Sequence, residues 1–237
     1  MYIYIYMFTN TTSHKQMLAE LPGKYHKYFG VLAGPSFAAE IMQGQPTNVV
    51  VASESEDLAK EVARYVSDGA SLRAYISDDV HGIEIAGAVK NVLAIASGAL
   101  DGLKFGNNAR AALVCRGLAE LTRLAVATGS NGRSMAGLAG VGDLMLTCSS
   151  SLSRNFTVGN QLASGMTLEE ISGGTNAVAE GVATAKSVRM LAGKLGVEMP
   201  ICEAVYQCLY EGKAPKKALE ELQARPLGAE GGLVAGE

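Results

Sequence analysis

The stretch from His81 to Gly117 constrains the fold most, because its first half is too apolar to lie on a protein surface. Ile85, Val89 and Val92 begin a stripe whose alternating spacing of four and three residues follows one face of a helix. The opposite side carries small or neutral residues instead of a charged face. A helix that is apolar on nearly all sides is normally buried, so the pattern predicts a core helix.

Lys90 is the one cation inside that predicted helix, and Glu84 is the nearby acid. Burial of a lysine without a partner costs free energy and favours the neutral amine, which can accept a proton. A surface lysine that extends toward solvent is the alternative, but nearly all helical neighbours of Lys90 are apolar. We therefore expect Lys90 to take part in proton transfer.

Composition excludes several classes of protein. The 237 residues are 48% hydrophobic, which indicates a folded chain of one or two domains. A net charge of −3 gives no electrostatic case for nucleic acid. The cysteines and histidines show no metal-ligand spacing, and no apolar run approaches the roughly 20 residues of a membrane span. The start of the chain lacks a secretory signal pattern, so the cytoplasm is the default location, with a plastid as the alternative.

Strand and helix patterns alternate from Tyr28 to Asp78 and give way to helices alone from Asp79. We expect an α/β domain over residues 1–79, with a partial Rossmann-like parallel sheet, and an all-α domain over residues 80–237. Ser36 is placed to cap the first short helix. In the next helix, SEDLAKEVARYVSD, the apolar side is expected to consist of Leu58, Val62 and Tyr65.

Two loops could carry a ligand. GLAGVGD invites comparison with nucleotide-binding loops, but its glycine spacing is a weak match and a loop packed between helices is favoured. Asp143 ends that loop and can bond a substrate hydroxyl or a lysine. Gly34 and Ser36 follow a predicted strand and open a short helix, where open α/β sheets bind ligands. A turn without a ligand is an equal alternative there.

Ser153, Arg154 and Asn155 place a hydroxyl, a guanidinium and an amide side by side. That set could bind a phosphate or carboxylate through a charge-assisted fork and neutral hydrogen bonds. Taken alone, a helix start with Ser153 as N-cap and Arg154 in solvent is favoured, because serine is among the commonest N-caps.

Six motifs in one order are similar to a known family: GPSFAAE, GIEIAGAVKNVLAIASGALDGLKFGNNARAAL, GLAGVGDLMLTC, SLSRN, VAEGVATA and GVEMPICEAVYQCLYEG. From residue 30 to residue 230 the chain resembles the bacterial-type NAD(P)-dependent glycerol-3-phosphate dehydrogenases. The resemblance implies a helical C-terminal domain like that of 6-phosphogluconate dehydrogenase. It also implies interconversion of sn-glycerol 3-phosphate and dihydroxyacetone phosphate with NAD or NADP, in support of phospholipid synthesis, and a homodimer as one expected assembly.

The resemblance also implies roles for individual residues. Lys90 matches the lysine that transfers a proton at the C2 oxygen of the substrate. The positions implied to contact substrate are Gly34, Ser36, Lys90, Asp143, Ser153, Arg154 and Asn155. The positions implied to contact the dinucleotide are Ala38, Arg154, Val178 and Glu180.

The chain departs from the family pattern at its start. The family's G-x-G-x-x-G strand–turn–helix unit and its T-K-G segment are not present, and residues 1–27 are expected to be unmatched. The chain is thus expected to lack the N-terminal part of the dinucleotide-binding domain. A non-catalytic helical or dimerisation domain that cannot hold the cofactor is therefore the alternative function. A related dehydrogenase with another substrate is a third hypothesis, which the phosphate-binding tripeptide argues against. The choice between NADH and NADPH stays open.

Overall fold

The computed structural model describes residues 4–6, 22–173 and 179–226. The first part of this chain forms a small mixed sheet. Its strands lie in chain order, β1-β2-β3-β4. β1 is parallel to β2, β2 is antiparallel to β3, and β3 is parallel to β4. The four strands are β1 Tyr4–Tyr6, β2 Phe29–Ala33, β3 Thr47–Ala52 and β4 Leu72–Ser77.

The antiparallel pairing of β2 with β3 corrects the expectation of an all-parallel sheet. The connection between them holds only the five-residue helix α1, Ala38–Met42, none of whose residues is buried. Such a helix rises about 7–8 Å, whereas a five-residue strand spans about 17 Å, so the helix by itself is too short to return the chain to the start of a parallel neighbour. The longer helix α2, Glu56–Val66, does pack on the sheet, and the two strands that it joins are parallel.

Helix α2 is amphipathic as expected, but its buried stripe is rotated from the predicted one. Leu58 and Val62 are buried, whereas Tyr65 is 71% exposed. The last turn packs Val66 against the sheet in place of Tyr65. The prediction for Tyr65 was therefore wrong, because the smaller side chains on the adjacent line of the helix form the contact.

In the part of the chain that the structure describes, helices alone follow the sheet, which confirms an α/β part followed by a helical part. The proposed division at residues 79 and 80 stays a prediction. The α-helices are α3 Val80–Gly102, α4 Asn107–Ala127, α5 Asp143–Ser149, α6 Arg154–Ala163, α7 Leu168–Ser172, α8 Glu180–Leu195, α9 Pro200–Tyr210 and α10 Pro215–Gln223. Short 3₁₀ turns occupy Gly23–Tyr28 and Arg133–Ala136, and a π-helical turn occupies Leu138–Gly142.

Helix α3 is the centre of the helical core, as its sequence predicts. Val89 and Val92 are fully buried, and Ile85 packs against the same core cluster. Contrary to the expectation from sequence, α3 is long and apolar enough to cross a membrane by length and composition. However, 72% of its most apolar window is buried against protein. Burial of that kind is typical of a core helix in a globular fold.

Two glycines let α3 and α6 touch backbone to backbone. A Cβ atom on Gly98 would lie 1.8 Å from the carbonyl oxygen of Phe156, and one on Gly159 would lie 1.9 Å from the carbonyl oxygen of Ile95. No side chain fits at either position without moving a helix. This close crossing fixes the first turn of α6 beside the middle of α3.

A buried carboxylate joins α4 to α9. Glu120 accepts hydrogen bonds from the backbone N–H groups of Ile201 (2.6 Å) and Cys202 (3.1 Å), two of the unpaired donors at the start of α9. Burial raises the pKa of Glu120 to about 7, although these hydrogen bonds and the charge of Arg123 act in the opposite direction. Glu120 thus caps α9 from another helix.

The raised pKa of Glu120 predicts a pH dependence of stability. A carboxyl group whose pKa is higher in the folded state contributes stability that is fully present below the unfolded value and lost as the pH rises through the folded value. From about pH 5 to about pH 8, the free energy of unfolding of the wild type should fall by about 2–3 kcal/mol relative to Glu120→Gln. Urea denaturation across this range measures the difference. A constant difference between the two proteins would show that Glu120 does not titrate in this window.

Candidate active site

Lys90 and Asp143 form a direct ion pair between α3 and α5. The Nζ atom of Lys90 donates to the Oδ2 atom of Asp143. The Asp143 side chain is only 5% exposed, whereas that of Lys90 is 22% exposed and remains open to one side. The structure therefore gives the lysine of the core helix a buried carboxylate partner and leaves its side chain partly exposed.

The π-helical turn Leu138–Gly142 places Asp143 at the start of α5. A Cβ atom on Gly140 would lie 2.2 Å from the carbonyl oxygen of Met135, so the turn packs tightly against the preceding segment. The Thr147 hydroxyl lies 2.6 Å from the Asp143 carbonyl oxygen and 3.3 Å from its Oδ1 atom. GLAGVGD is thus packed among helices, as favoured from its sequence, and π-helical turns often occur at functional sites.

The sheet reaches the ion pair through Gly34. Its backbone N–H lies near the carboxylate of Asp143 and acts to lower the pKa of that group. Burial raises the pKa of Asp143, and the charge of Lys90 and the hydrogen bonds oppose that rise. Gly34 has a φ of 130°, and a Cβ atom there would lie 3.2 Å from the Cα atom of Val49, so the position requires glycine. The carboxyl end of β2 therefore lies beside Asp143, and ligand binding at this strand end stays a prediction.

Ser36 does not cap helix α1, which corrects the prediction. The N-cap is Phe37, without a side-chain hydrogen bond, and the Ser36 hydroxyl donates to the carbonyl oxygen of Gly34 at 2.9 Å. The serine forms a local turn beside Gly34. It stabilises the loop whose amide contacts Asp143.

Ser153 and Asn155 are buried at the start of α6. Ser153 is the N-cap and accepts the Phe156 N–H at 3.3 Å, as favoured from the sequence. The Asn155 amide donates to Oδ1 of Asn91 at 3.0 Å, and its oxygen accepts the Gly181 N–H at 2.8 Å. Both side chains fix the geometry where α3, α6 and α8 meet.

Arg154 extends from the same turn and its side chain is 63% exposed. Its guanidinium lies 3.6 Å from the carboxylate of Glu180, the first residue of α8. Glu180 also accepts a hydrogen bond from the Asn91 amide at 3.3 Å. Burial raises the pKa of Glu180, while the charges of Arg154 and Lys90 lower it. The candidate site thus holds two cations and two carboxylates within one electrostatic neighbourhood.

Sequence reasoning missed Asn91 and Thr147. Asn91 bonds Glu180 and Asn155, and Thr147 bonds Asp143. A buried neutral polar side chain in an otherwise apolar helix was the available signal for Asn91, because such groups require hydrogen-bond partners. Thr147 lies one helical turn after Asp143, where a hydroxyl can bond back to the preceding turn.

Two of the implied cofactor residues show no contact with this cluster that can be described. Ala38 is the exposed first residue of α1, and Val178 lies outside the described residues. Among residues 4–6, 22–173 and 179–226, no group of three or more His, Cys, Asp or Glu side chains could hold a metal ion. The same residues contain no glycine-rich strand–turn–helix unit of the dinucleotide-binding type.

The residues present fit the reacting end of a nicotinamide cofactor better than its pyrophosphate. The Lys90 amine acts electrostatically on Glu180, which in turn faces the Arg154 guanidinium, and these groups offer polar contacts to a ring and an amide. By contrast, Glu40 lies in the first turn of α1, and Glu56 lies in the first turn of α2. Negative charge at a helix N-terminus disfavours a phosphate there.

Comparisons with known proteins identify the family. A family model described as the NAD-dependent glycerol-3-phosphate dehydrogenase C-terminus matches residues 79–220, and the corresponding N-terminus model matches residues 9–59. The expectation that residues 1–27 are unmatched is therefore wrong from residue 9 onward. A relative from Anaeromyxobacter dehalogenans, glycerol-3-phosphate dehydrogenase [NAD(P)+], is 56% identical over 205 residues, which are 86% of this chain and 61% of the relative.

Two less similar proteins are also glycerol-3-phosphate dehydrogenases. The glycosomal glycerol-3-phosphate dehydrogenase [NAD(+)] of Trypanosoma brucei rhodesiense is 51% identical over 91% of this chain and 61% of its own length. The crystal structure of glycerol-3-phosphate dehydrogenase from Coxiella burnetii matches with a TM-score of 0.79 and 41% identity, over 83% of this chain and 60% of that one. The chain spans 61–63% of the length of the first curated relatives. It belongs to the NAD-dependent glycerol-3-phosphate dehydrogenase family.

Proposed function

We propose that this chain interconverts sn-glycerol 3-phosphate and dihydroxyacetone phosphate with NAD(H) or NADP(H), and so supports glycerophospholipid synthesis. The observation that carries the proposal is the ion pair between Lys90 and Asp143, together with the exposed guanidinium of Arg154, since both cations act on the same carboxylate, Glu180. An acid–base group and an anion-binding group next to each other match a substrate with an alcohol or ketone carbon and a phosphate.

A nicotinamide cofactor, when bound, would supply the hydride for reduction of dihydroxyacetone phosphate at C2. The Lys90 ammonium donates a proton to the C2 oxygen as the carbonyl becomes an alcohol, and in the reverse direction the amine accepts it. Asp143 holds the Lys90 amine in place through their hydrogen bond. Gly34 and Thr147 hold Asp143 in turn, so the proton-transfer group has a fixed position.

Arg154 is proposed to bind the phosphate through a charge-assisted fork. Its exposure leaves it free to turn toward a ligand, whereas the buried Ser153 and Asn155 hold the turn from which it extends. The proposed substrate site is Gly34, Ser36, Lys90, Asp143, Ser153, Arg154 and Asn155. The proposed cofactor contacts are Ala38, Arg154, Val178 and Glu180.

Location and assembly are further parts of the proposal. A cytoplasmic protein is supported by the bacterial relatives and by the burial of α3. A homodimer is supported by a wide apolar groove of about 960 Å³ between α3, α4, α9 and α10, a surface that a second copy could cover. Sedimentation velocity distinguishes a monomer from a dimer.

Cofactor binding separates the enzyme from the non-catalytic alternative. If the proposal is right, the fluorescence of NADH or NADPH changes and saturates when the purified chain is added, and the same protein reduces dihydroxyacetone phosphate. The acidic first turns of α1 and α2 favour the alternative, in which the helical part folds but does not retain the cofactor. A folded protein with no saturable binding of either coenzyme would support the alternative.

A further inference from the structure

The candidate site carries a carboxylate that the acid–base chemistry does not use. Glu180 lies at the start of α8, and its carboxylate faces the guanidinium of Arg154 at 3.6 Å. Its side chain is largely buried, whereas that of Arg154 is mostly exposed. The carboxylate is thus the fixed member of the pair and the guanidinium is the mobile one.

Glu180 is held in place from the side opposite Arg154. The Asn91 amide donates to its Oε2 atom at 3.3 Å, while the Oε1 atom is the one nearer to Arg154. Asn91 is itself buried and fixed by bonds to Gly87 and Asn155. One oxygen of Glu180 is therefore anchored to α3 and the other is presented to the anion-binding guanidinium.

The charges of the site balance when Glu180 is ionised. Lys90 is matched by Asp143, and Arg154 is matched by Glu180. A phosphate ester carries up to two negative charges, so a site with no net charge attracts it only weakly while each cation is paired with a carboxylate. A separation of 3.6 Å exceeds hydrogen-bond distance, which makes the pair easier to part than the direct bond between Lys90 and Asp143.

We propose that Glu180 is an affinity-setting residue whose carboxylate competes with the phosphate of the substrate for Arg154. This inference rests on the proposed function. In the free protein, Arg154 faces Glu180. A phosphate takes over the guanidinium because it offers more charge and more acceptor oxygens than the resident carboxylate. The competition weakens binding of phosphate esters and leaves neutral polyols unaffected.

Isothermal titration calorimetry with sn-glycerol 3-phosphate tests this role on the whole chain. Glu180→Gln keeps an oxygen for the Asn91 amide but removes the charge, so it should bind sn-glycerol 3-phosphate about fivefold or more tightly than the wild type at low salt. The gain should shrink at high salt, because screening weakens the interaction of partly exposed charges. Binding of glycerol, which lacks the phosphate, should not change.

Two further variants control the comparison. Glu220→Gln removes the same charge from an exposed position on α10 and should leave the affinity for sn-glycerol 3-phosphate at the wild-type value. In an Arg154→Gln background, Glu180→Gln should give no gain, because the contested guanidinium is gone. Glu180→Ala should also raise the affinity for sn-glycerol 3-phosphate. It replaces Glu180→Gln in the experiment if the glutamine variant folds poorly.

The outcomes separate the two proposals. Equal affinities of the wild type and Glu180→Gln for sn-glycerol 3-phosphate would overturn the role of Glu180 and leave the proposed function standing. A Glu180→Gln protein that binds more weakly than the wild type would likewise overturn the role of Glu180 alone, whereas a folded wild-type chain that binds no sn-glycerol 3-phosphate at all would overturn both. A gain that persists in the Arg154→Gln background would also contradict competition for Arg154.

Discussion

Lys90→Met should reduce the turnover of dihydroxyacetone phosphate by about a thousandfold, within the range that loss of a general acid usually produces. Methionine keeps the length and apolar stem of lysine but has no proton to donate. Steady-state reduction with saturating coenzyme measures the effect. Lys217→Met, which removes an exposed lysine from α10, should leave turnover unchanged.

A second pair of variants separates proton donation from charge and from folding. Lys90→Arg keeps the positive charge, but arginine does not release a proton near neutral pH, so substrate affinity should survive while turnover is lost. Lys90→Met leaves Asp143 buried without its partner, which costs stability. The double variant with Asp143→Asn relieves that cost and should fold well yet stay inactive. Turnover within tenfold of the wild type in Lys90→Met would remove Lys90 from the proton-transfer role.

Alanine at Gly98 or Gly159 should destabilise the fold by about 3 kcal/mol or more. At both positions the new Cβ atom would lie within 2 Å of a backbone oxygen on the partner helix, so α3 and α6 must separate. Because α6 carries Arg154, separation also moves the guanidinium away from Lys90. Urea denaturation gives the loss in free energy of unfolding, and the affinity for sn-glycerol 3-phosphate should fall with it.

Gly193→Ala is the matched control for those substitutions. Gly193 is also inside a helix, α8, but apart from its chain neighbours and the backbone of its own helix no atom lies within 4 Å of a Cβ atom built there. Alanine at such a site should leave stability unchanged or raise it by up to about 1 kcal/mol, because glycine is a poor helix former. If Gly98→Ala and Gly159→Ala behaved like Gly193→Ala, the backbone contact between α3 and α6 would not be essential to the fold.

Local sequence patterns were sufficient to predict the strands and helices, but not the direction of the strands or the buried face of each helix. The apolar spacing around Val89 identified α3, and the alternation of strand and helix identified the sheet. The direction of β3 depended on how far α1 could carry the chain, which requires the length of that helix and not just its presence. The exposure of Tyr65 depended on which of two neighbouring helix lines met the sheet, and both lines are apolar in the sequence.

The candidate site was also predictable only in part, because a local pattern can single out a residue but not its distant partner. Lys90 stood out because a lysine in an apolar helix needs a partner, but that partner is 53 positions away and reaches it only through the packing of α5 on α3. The tripeptide at Arg154 suggested an anion site. Only the structure shows that Asn155 is used to hold helices together. The pairing of Arg154 with Glu180 crosses from α6 to α8, beyond the reach of any local pattern.

The most direct test of the account follows a labelled hydride to the substrate. The chain is incubated with dihydroxyacetone phosphate and reduced coenzyme deuterated at C4 of the nicotinamide, and the glycerol 3-phosphate formed is analysed by mass spectrometry. The account predicts one deuterium at C2 of the product with the wild type, and almost no product with Lys90→Met. A folded wild-type chain that yields no deuterated glycerol 3-phosphate with either NADH or NADPH would contradict the proposed activity.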